Sequence, residues 1–190
     1  MRIGLLGGSF DPPHIGHLLA ASDACEALSL DRVVFVPAFV QPLKAGRAAT
    51  DPAHRFAMTQ RLVGDDPRFC VDPVEIERGG LSYMVDTLRI LAERWAGAEV
   101  FLLVGTDVTR TFGQWRDPAR IAELATPVVL QRAGDQPDLS AMPATTHVLP
   151  TRRIDVSSTE IRRRVAEGRS IRGFVPDAVA EFIAAERLYR

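Results

Sequence analysis

Apolar runs in this chain are continuous rather than alternating, and helix-compatible stretches separate them. A strand with one face in water alternates apolar and polar residues; a strand covered on both faces is apolar throughout, as strands of parallel sheets are. Residues 2–6, Arg32–Pro37, Glu99–Gly105 and 126–131 read in the second way, with 147–149 as a weaker strand and 69–77 as a strand broken by Pro73. Between them lie helical segments: 16–28, a helix opened by Asp51-Pro52 with a Phe56, Met58 and Leu62 stripe, 83–94 with Val85, Leu88 and Leu91 on one face, and Pro118–Leu124. Two terminal helices follow at 157–167 and 176–187. Loops fall at 38–50, 64–67, 79–80 and 133–144. Strands and helices in this order need right-handed crossovers, which build an open parallel α/β sheet with helices on both faces. Ligands then bind beyond the carboxyl ends of the strands, so the loops leaving those ends are where chemistry is expected.

A chain of 190 residues is long enough for one domain, 1–190, with a core that needs no covalent staples. Cys25 and Cys70 share no metal-ligand spacing, so the expectation is free thiols in a reducing cytoplasm. No run approaches the ~20 apolar residues of a membrane span. With 23 basic against 24 acidic side chains there is no broad footprint for nucleic acid or an anionic membrane, so any anion is bound locally. Nothing in the sequence marks a patch for self-association, and a homo-oligomer remains open. Lys44 is the only lysine.

Three segments carry chemistry. Gly7-Gly8-Ser9-Phe10-Asp11-Pro12-Pro13-His14-Ile15-Gly16-His17 joins the first strand to the first helix. It matches neither the dinucleotide fingerprint nor the Walker loop. Its glycines nevertheless let a polyphosphate approach the backbone, Gly16 leaves room at a helix start whose N–H groups favour an anion, and His14 and His17 can meet on one side of that turn. Taken alone the glycines make a turn; the pair of histidines would suit zinc if a third ligand stood at a recognisable spacing. The second segment, Ser157-Ser158-Thr159-Glu160-Ile161-Arg162, is a capping box, and the same hydroxyls with Arg162 also make a clamp for phosphate oxygens. The third, Gly105-Thr106-Asp107, puts a carboxylate at a strand end, where it caps a helix or accepts from ribose hydroxyls. Trp115 then offers either partly buried packing or a platform for a flat ring.

These residues together resemble the bacterial nicotinate mononucleotide adenylyltransferases, of the nucleotidyltransferase superfamily marked by the HxGH signature. The opening segment with His14-Ile15-Gly16-His17 is similar to the family's first motif, and Ser157-Ser158-Thr159 with Ile161-Arg162 to its last. Pro37, Pro42, Lys44, His54-Arg55, Gly80-Leu81-Ser82-Tyr83, Asp86-Thr87-Leu88, Gly105-Thr106-Asp107 and Trp115 fall between them in the family's order. One departure is Ser82-Tyr83-Met84, where family members commonly read Ser-Tyr-Thr.

The resemblance implies an α/β fold, an open Rossmann-like parallel sheet with a C-terminal helical end. It implies transfer of AMP from ATP to the 5′-phosphate of nicotinate mononucleotide, with Mg²⁺ carried on substrate phosphates and no protein-held metal. By the same resemblance His14, His17 and Arg162 are catalytic, and Gly7, Gly8, Ser9, Phe10, Gly16, Gly105, Ser157, Ser158 and Thr159 bind ATP. Lys44, Tyr83, Met84, Thr87, Asp107 and Trp115 bind the mononucleotide, with Trp115 stacked on the pyridine and backbone N–H groups near Tyr83 and Met84 reaching its carboxylate. The rival readings are transfer to the amide mononucleotide or to 4′-phosphopantetheine, and a nucleotide-sensing module without turnover.

Overall fold

The computed structural model describes residues 1–46 and 49–190. Six strands form one sheet: β1 (Arg2–Gly8), β2 (Arg32–Pro37), β3 (Phe69–Val71), β4 (Glu99–Gly105), β5 (Thr126–Arg132) and β6 (His147–Thr151). Their order is β3-β2-β1-β4-β5-β6 and every pairing is parallel. The helices are α1 (Ile15–Ala27), α2 (Pro52–Val63), α3 (Val74–Arg78), α4 (Met84–Arg94), α5 (Pro118–Leu124), α6 (Ser158–Ala166) and α7 (Asp177–Ala185). Among the described residues no helix is long and apolar enough to cross a membrane.

Successive strand residues feed opposite faces of the sheet. Val33, Phe35, Phe101, Leu103, Val128 and Leu130 meet Ala21 and Ala24 of α1, Met58 and Leu62 of α2, Ile161 of α6 and Val179 and Ile183 of α7. Val34, Val36, Leu102, Val104 and Val129 meet Val85, Leu88 and Leu91 of α4 and Ile121 of α5 on the other face. Both faces are covered, which is why the strands read as unbroken apolar runs. The strand order reverses at β1 and β4, and the crevice beyond their carboxyl ends is where such sheets take ligands.

Two expectations change. Residues 69–77 are not one strand: β3 ends at Val71, and Val74–Arg78 is helical. The carboxylate of Asp72 accepts the Val74 N–H at 2.9 Å, Pro73 presets the entry, and Glu75 and Glu77 face the positive end of the turn, so local capping prevails over β-propensity. Gly7 and Gly8 belong to β1 rather than to a loop, because their backbones continue the ladder with Val36 and Pro37.

Candidate active site

A cavity of about 530 Å³ opens at the crevice between β1 and β4. Gly7 and Gly8 of β1, Gly105 and Asp107 after β4, and His14, Gly16 and His17 at the start of α1 line it. Ser157 and Ser158 close it from α6, while Tyr83, Met84 and Trp115 form the opposite wall. The three distant motifs therefore share one chamber.

His14 caps α1 in extended conformation, and its ring stacks on that of His17 with centroids 3.8 Å apart. The His14 backbone N–H donates to His17 Nδ1 at 3.2 Å. With Nδ1 accepting, a neutral His17 carries its proton on Nε2 and is a donor there. Phe10 packs its ring edgewise on His17 at 5.1 Å and on Phe35 at 5.8 Å, which fixes the imidazole from behind. Gly16 is required by the first ring: a Cβ at this position would lie 3.0 Å from His14 Nδ1. The space at Gly16 thus serves the histidine as well as any anion. At Gly105 a Cβ would meet nothing within 4 Å, so the backbone there borders open cavity.

His14 is 8% exposed, and its Nδ1 has no hydrogen-bond partner among the described residues. Burial first, then the charge of Arg132, holds its pKa down at about 4 against an ordinary 6.5. The folded chain therefore keeps this imidazole neutral at pH 7, and as pH falls the unfolded chain takes up the proton first. Its contribution to stability is complete above about 6.5 and is lost as pH falls toward about 4. Denaturant unfolding at pH 7 and pH 5 should show a loss on the order of 2 kcal/mol that His14→Gln abolishes. An equal pH dependence in wild type and variant would contradict a buried neutral His14.

At α6, Ser157 accepts the Glu160 N–H at 3.2 Å and Ser158 donates to the Pro12 carbonyl at 2.7 Å. Thr159 and Arg162 do not line the cavity. Arg162 donates to the Asp11 carbonyl at 2.6 Å and to Thr159 Oγ1 at 3.3 Å, so the pair grips the outer side of the phosphate loop. Ser9 and Phe10 also lie off the cavity wall: the Ser9 carbonyl is held by Arg55, and Phe10 is core at 2% exposed.

On the far wall the Tyr83 N–H donates to the Leu81 carbonyl at 3.1 Å, so the donors that α4 directs outward begin at Met84. Thr87 belongs to the interior: fully buried, it donates to Glu75 Oε1 at 2.6 Å and accepts from Arg78. It is therefore a support beneath this wall rather than a group facing a ligand. Burial lifts the Glu75 carboxyl above the usual range, countered by hydroxyls of Thr87 and Ser82 and by the charge of Arg78. Trp115 is half-buried, tilted against Phe112 at 5.3 Å. The side chain of Lys44 lies outside the described residues.

Glu75 and Arg132 are among the residues that escaped the sequence reading, and Arg55, named there only in the family's order, had no role assigned. Glu75 and Arg132 line the chamber. Arg55, 2% exposed, donates to four carbonyls: Ser9 at 2.8 Å, Ala38 at 2.5 Å, Phe39 at 2.8 Å and Thr50 at 2.9 Å. It welds the loop after β1 to the loop after β2. A signal was available, since Arg55 stands three residues before Met58 and seven before Leu62, on the helix stripe that α2 buries.

The cytidylyltransferase-like family model matches residues 5–164. A Gemmatimonas aurantiaca protein named "probable nicotinate-nucleotide adenylyltransferase" is 52% identical, covering 100% of this chain and 93% of its own length. A Thermus thermophilus protein of the same name is 46% identical over 100% of both chains. Among solved structures, Plasmodium falciparum nicotinic acid mononucleotide adenylyltransferase complexed with NaAD superimposes with a TM-score of 0.83 over 99% of this chain and 97% of that one, at 15% identity, a likeness of fold. With its parallel sheet, shared chamber and full-length relatives, the chain belongs to the nicotinate-nucleotide adenylyltransferase family of cytidylyltransferase-like nucleotidyltransferases.

Proposed function

We propose that the chain, acting as one domain over 1–190 in a reducing cytoplasm, transfers the adenylyl group of ATP to nicotinate mononucleotide. The products are nicotinate adenine dinucleotide and pyrophosphate. The observation that carries this reading is the stacked His14–His17 pair at the start of α1, opening into the same cavity as the start of α6. Both cysteines being free thiols fits the compartment.

A phosphate monoester is largely dianionic at pH 7, its second pKa being about 6, so the acceptor needs no general base. One of its oxygens bonds to the α-phosphorus of ATP as the bond from that phosphorus to the bridging oxygen breaks and pyrophosphate departs. The barrier is repulsion between anions and charge growing on the transferred phosphoryl. His17, donating from Nε2, and neutral His14 meet that charge; the α1 N-terminus adds its N–H groups. Arg162, tied to Asp11 and Thr159 off the cavity wall, is assigned to the pyrophosphate through the phosphate loop it holds rather than by lining the chamber. The cations on the wall itself are Arg116, Arg132 and Arg152. Asp107 accepts from ribose, Trp115 stacks on the pyridine, and the α4 start at Met84 receives its carboxylate.

Nucleotidyltransferases of this kind use a divalent metal. Among the described residues no group of three or more His, Cys, Asp or Glu could hold one, and of the wall carboxylates Glu75 is tied to Thr87. That donor set fits Mg²⁺ arriving on the triphosphate with its water shell. When bound, it neutralises phosphate oxygens.

Pyrophosphate release is the test, with ATP, Mg²⁺ and one acceptor at a time. Nicotinate mononucleotide should be used fastest. Release only with 4′-phosphopantetheine or the amide mononucleotide would replace this substrate, and ATP binding with no release from any acceptor would indicate a sensing module. Trp115→Ala should raise KM for the mononucleotide about tenfold or more, the scale of a lost base stack, with KM for ATP little changed. Equal shifts in both constants would count against stacking.

A further inference from the structure

The stretch Asp11-Pro12-Pro13 between β1 and His14 has no regular structure, and two prolines leave it without N–H groups of its own there. Its conformation sets where both imidazoles point. Its carbonyls are held by α6, Asp11 by Arg162 and Pro12 by Ser158. Its side-chain anchor among the described residues is the Asp11 carboxylate, whose Oδ2 accepts the Thr50 N–H at 3.3 Å and whose Oδ1 accepts the Tyr189 hydroxyl at 2.7 Å.

Tyr189 is the penultimate residue of the chain, and it reaches this loop from beyond α7. Arg187 and Tyr189 adopt left-handed backbone, with φ of 53° and 64°, a conformation that is strained for a non-glycine residue. That turn brings the phenol inward, where its oxygen also lies 3.9 Å from Met58 Sδ of α2. Such strain persists only where contacts over-determine it, and the contact it delivers is with the phosphate loop. Burial, ahead of its bond to Asp11, raises the Tyr189 phenol, which keeps it a donor at every working pH.

We propose that Tyr189 is a positioning residue of the active site: its hydroxyl holds Asp11 so that the loop presents His14 and His17 to the triphosphate. The inference rests on the adenylyl-transfer reading above. It makes the hydroxyl of Tyr189 a requirement for turnover rather than for folding, since that oxygen bonds Asp11 and Thr50 in loops and makes only a long 3.9 Å contact with Met58 Sδ of α2.

The test is Tyr189→Phe, which removes one oxygen and keeps the ring. We expect kcat to fall about tenfold, because a small misplacement of donors is costly, with KM for the mononucleotide unchanged. The melting temperature should move little. In an Asp11→Ala background the same substitution should cause no further loss. His54→Gln is the control: it removes the α2–α7 contact of His54 with Glu186, at 3.7 Å, from the same end of the chain and should lower stability without lowering kcat. Wild-type kcat in Tyr189→Phe would overturn the proposal, as would parallel losses of kcat and stability in both variants. The imidazole NMR signals give a readout independent of activity. They should shift for His14 and His17 in Tyr189→Phe, and unmoved signals would overturn the proposal even if the wild type released no pyrophosphate, a result that would separately defeat the adenylyl-transfer reading.

Discussion

His17→Ala should lower kcat by about 10²-fold or more with little change in KM for ATP, the pattern left by removing a donor that acts in the transition state. The geometry supports the donor role proposed for this ring. Its Nδ1 is engaged by the His14 backbone N–H, its flank by Phe10, and its face by the His14 imidazole. Three contacts leave it one orientation, so the Nε2 proton meets charge as it develops without reorganisation at the moment of reaction. On the proposed reading ground-state ATP is also held by the backbone near Gly7 and Gly8 and by the helix starts, so its binding should survive. Steady-state kinetics with circular dichroism to verify the fold decides the matter. Turnover within about threefold of wild type in a folded His17→Ala protein would remove the residue from catalysis.

The second large effect is on stability. Arg55→Leu should destabilise the protein by about 4 kcal/mol and lower the melting temperature by about 10 °C. The substitution strands four carbonyls on three separate segments in a site that water reaches poorly. Burial depresses the Arg55 pKa, and the Asp11 carboxylate offsets this, so the guanidinium is held by charge as well as by its acceptors. Arg55→Lys keeps the charge but not the planar fork, and should recover only part of the loss. Because Ser9 and Phe39 are released together, ATP affinity should fall in the surviving folded fraction. Thermal unfolding that leaves either variant within about 2 °C of wild type would show the weld to be dispensable.

The two faces of the sheet explain what could be read in advance. Residues 33–36 and 100–104 are apolar at every position because alternate residues enter different cores, and this pattern is visible in the sequence alone. Residues 69–77 misled because Val, Cys and Phe favour strands, whereas the turn at Asp72-Pro73 is decided by a single cap. The opening and closing motifs marked His14, His17, Ser157 and Ser158 by residue type and order. Thr87 carried the same kind of mark, yet its hydroxyl faces Glu75, since which side of a helix turn meets the cavity depends on neighbours elsewhere in the chain.

Local order along the chain determined the parallel sheet, the crevice and the kind of chemistry at its mouth, because periodicity, glycine placement and helix starts are properties of neighbouring residues. Only the tertiary structure decided that Arg55 ties two loops, that Phe10 packs edgewise on the His17 ring instead of lining the cavity, and that Tyr189 reaches Asp11. Each depends on a hydrogen bond or ring contact between residues 7 to 178 positions apart, and such a contact has energy only once folding removes the water between its partners.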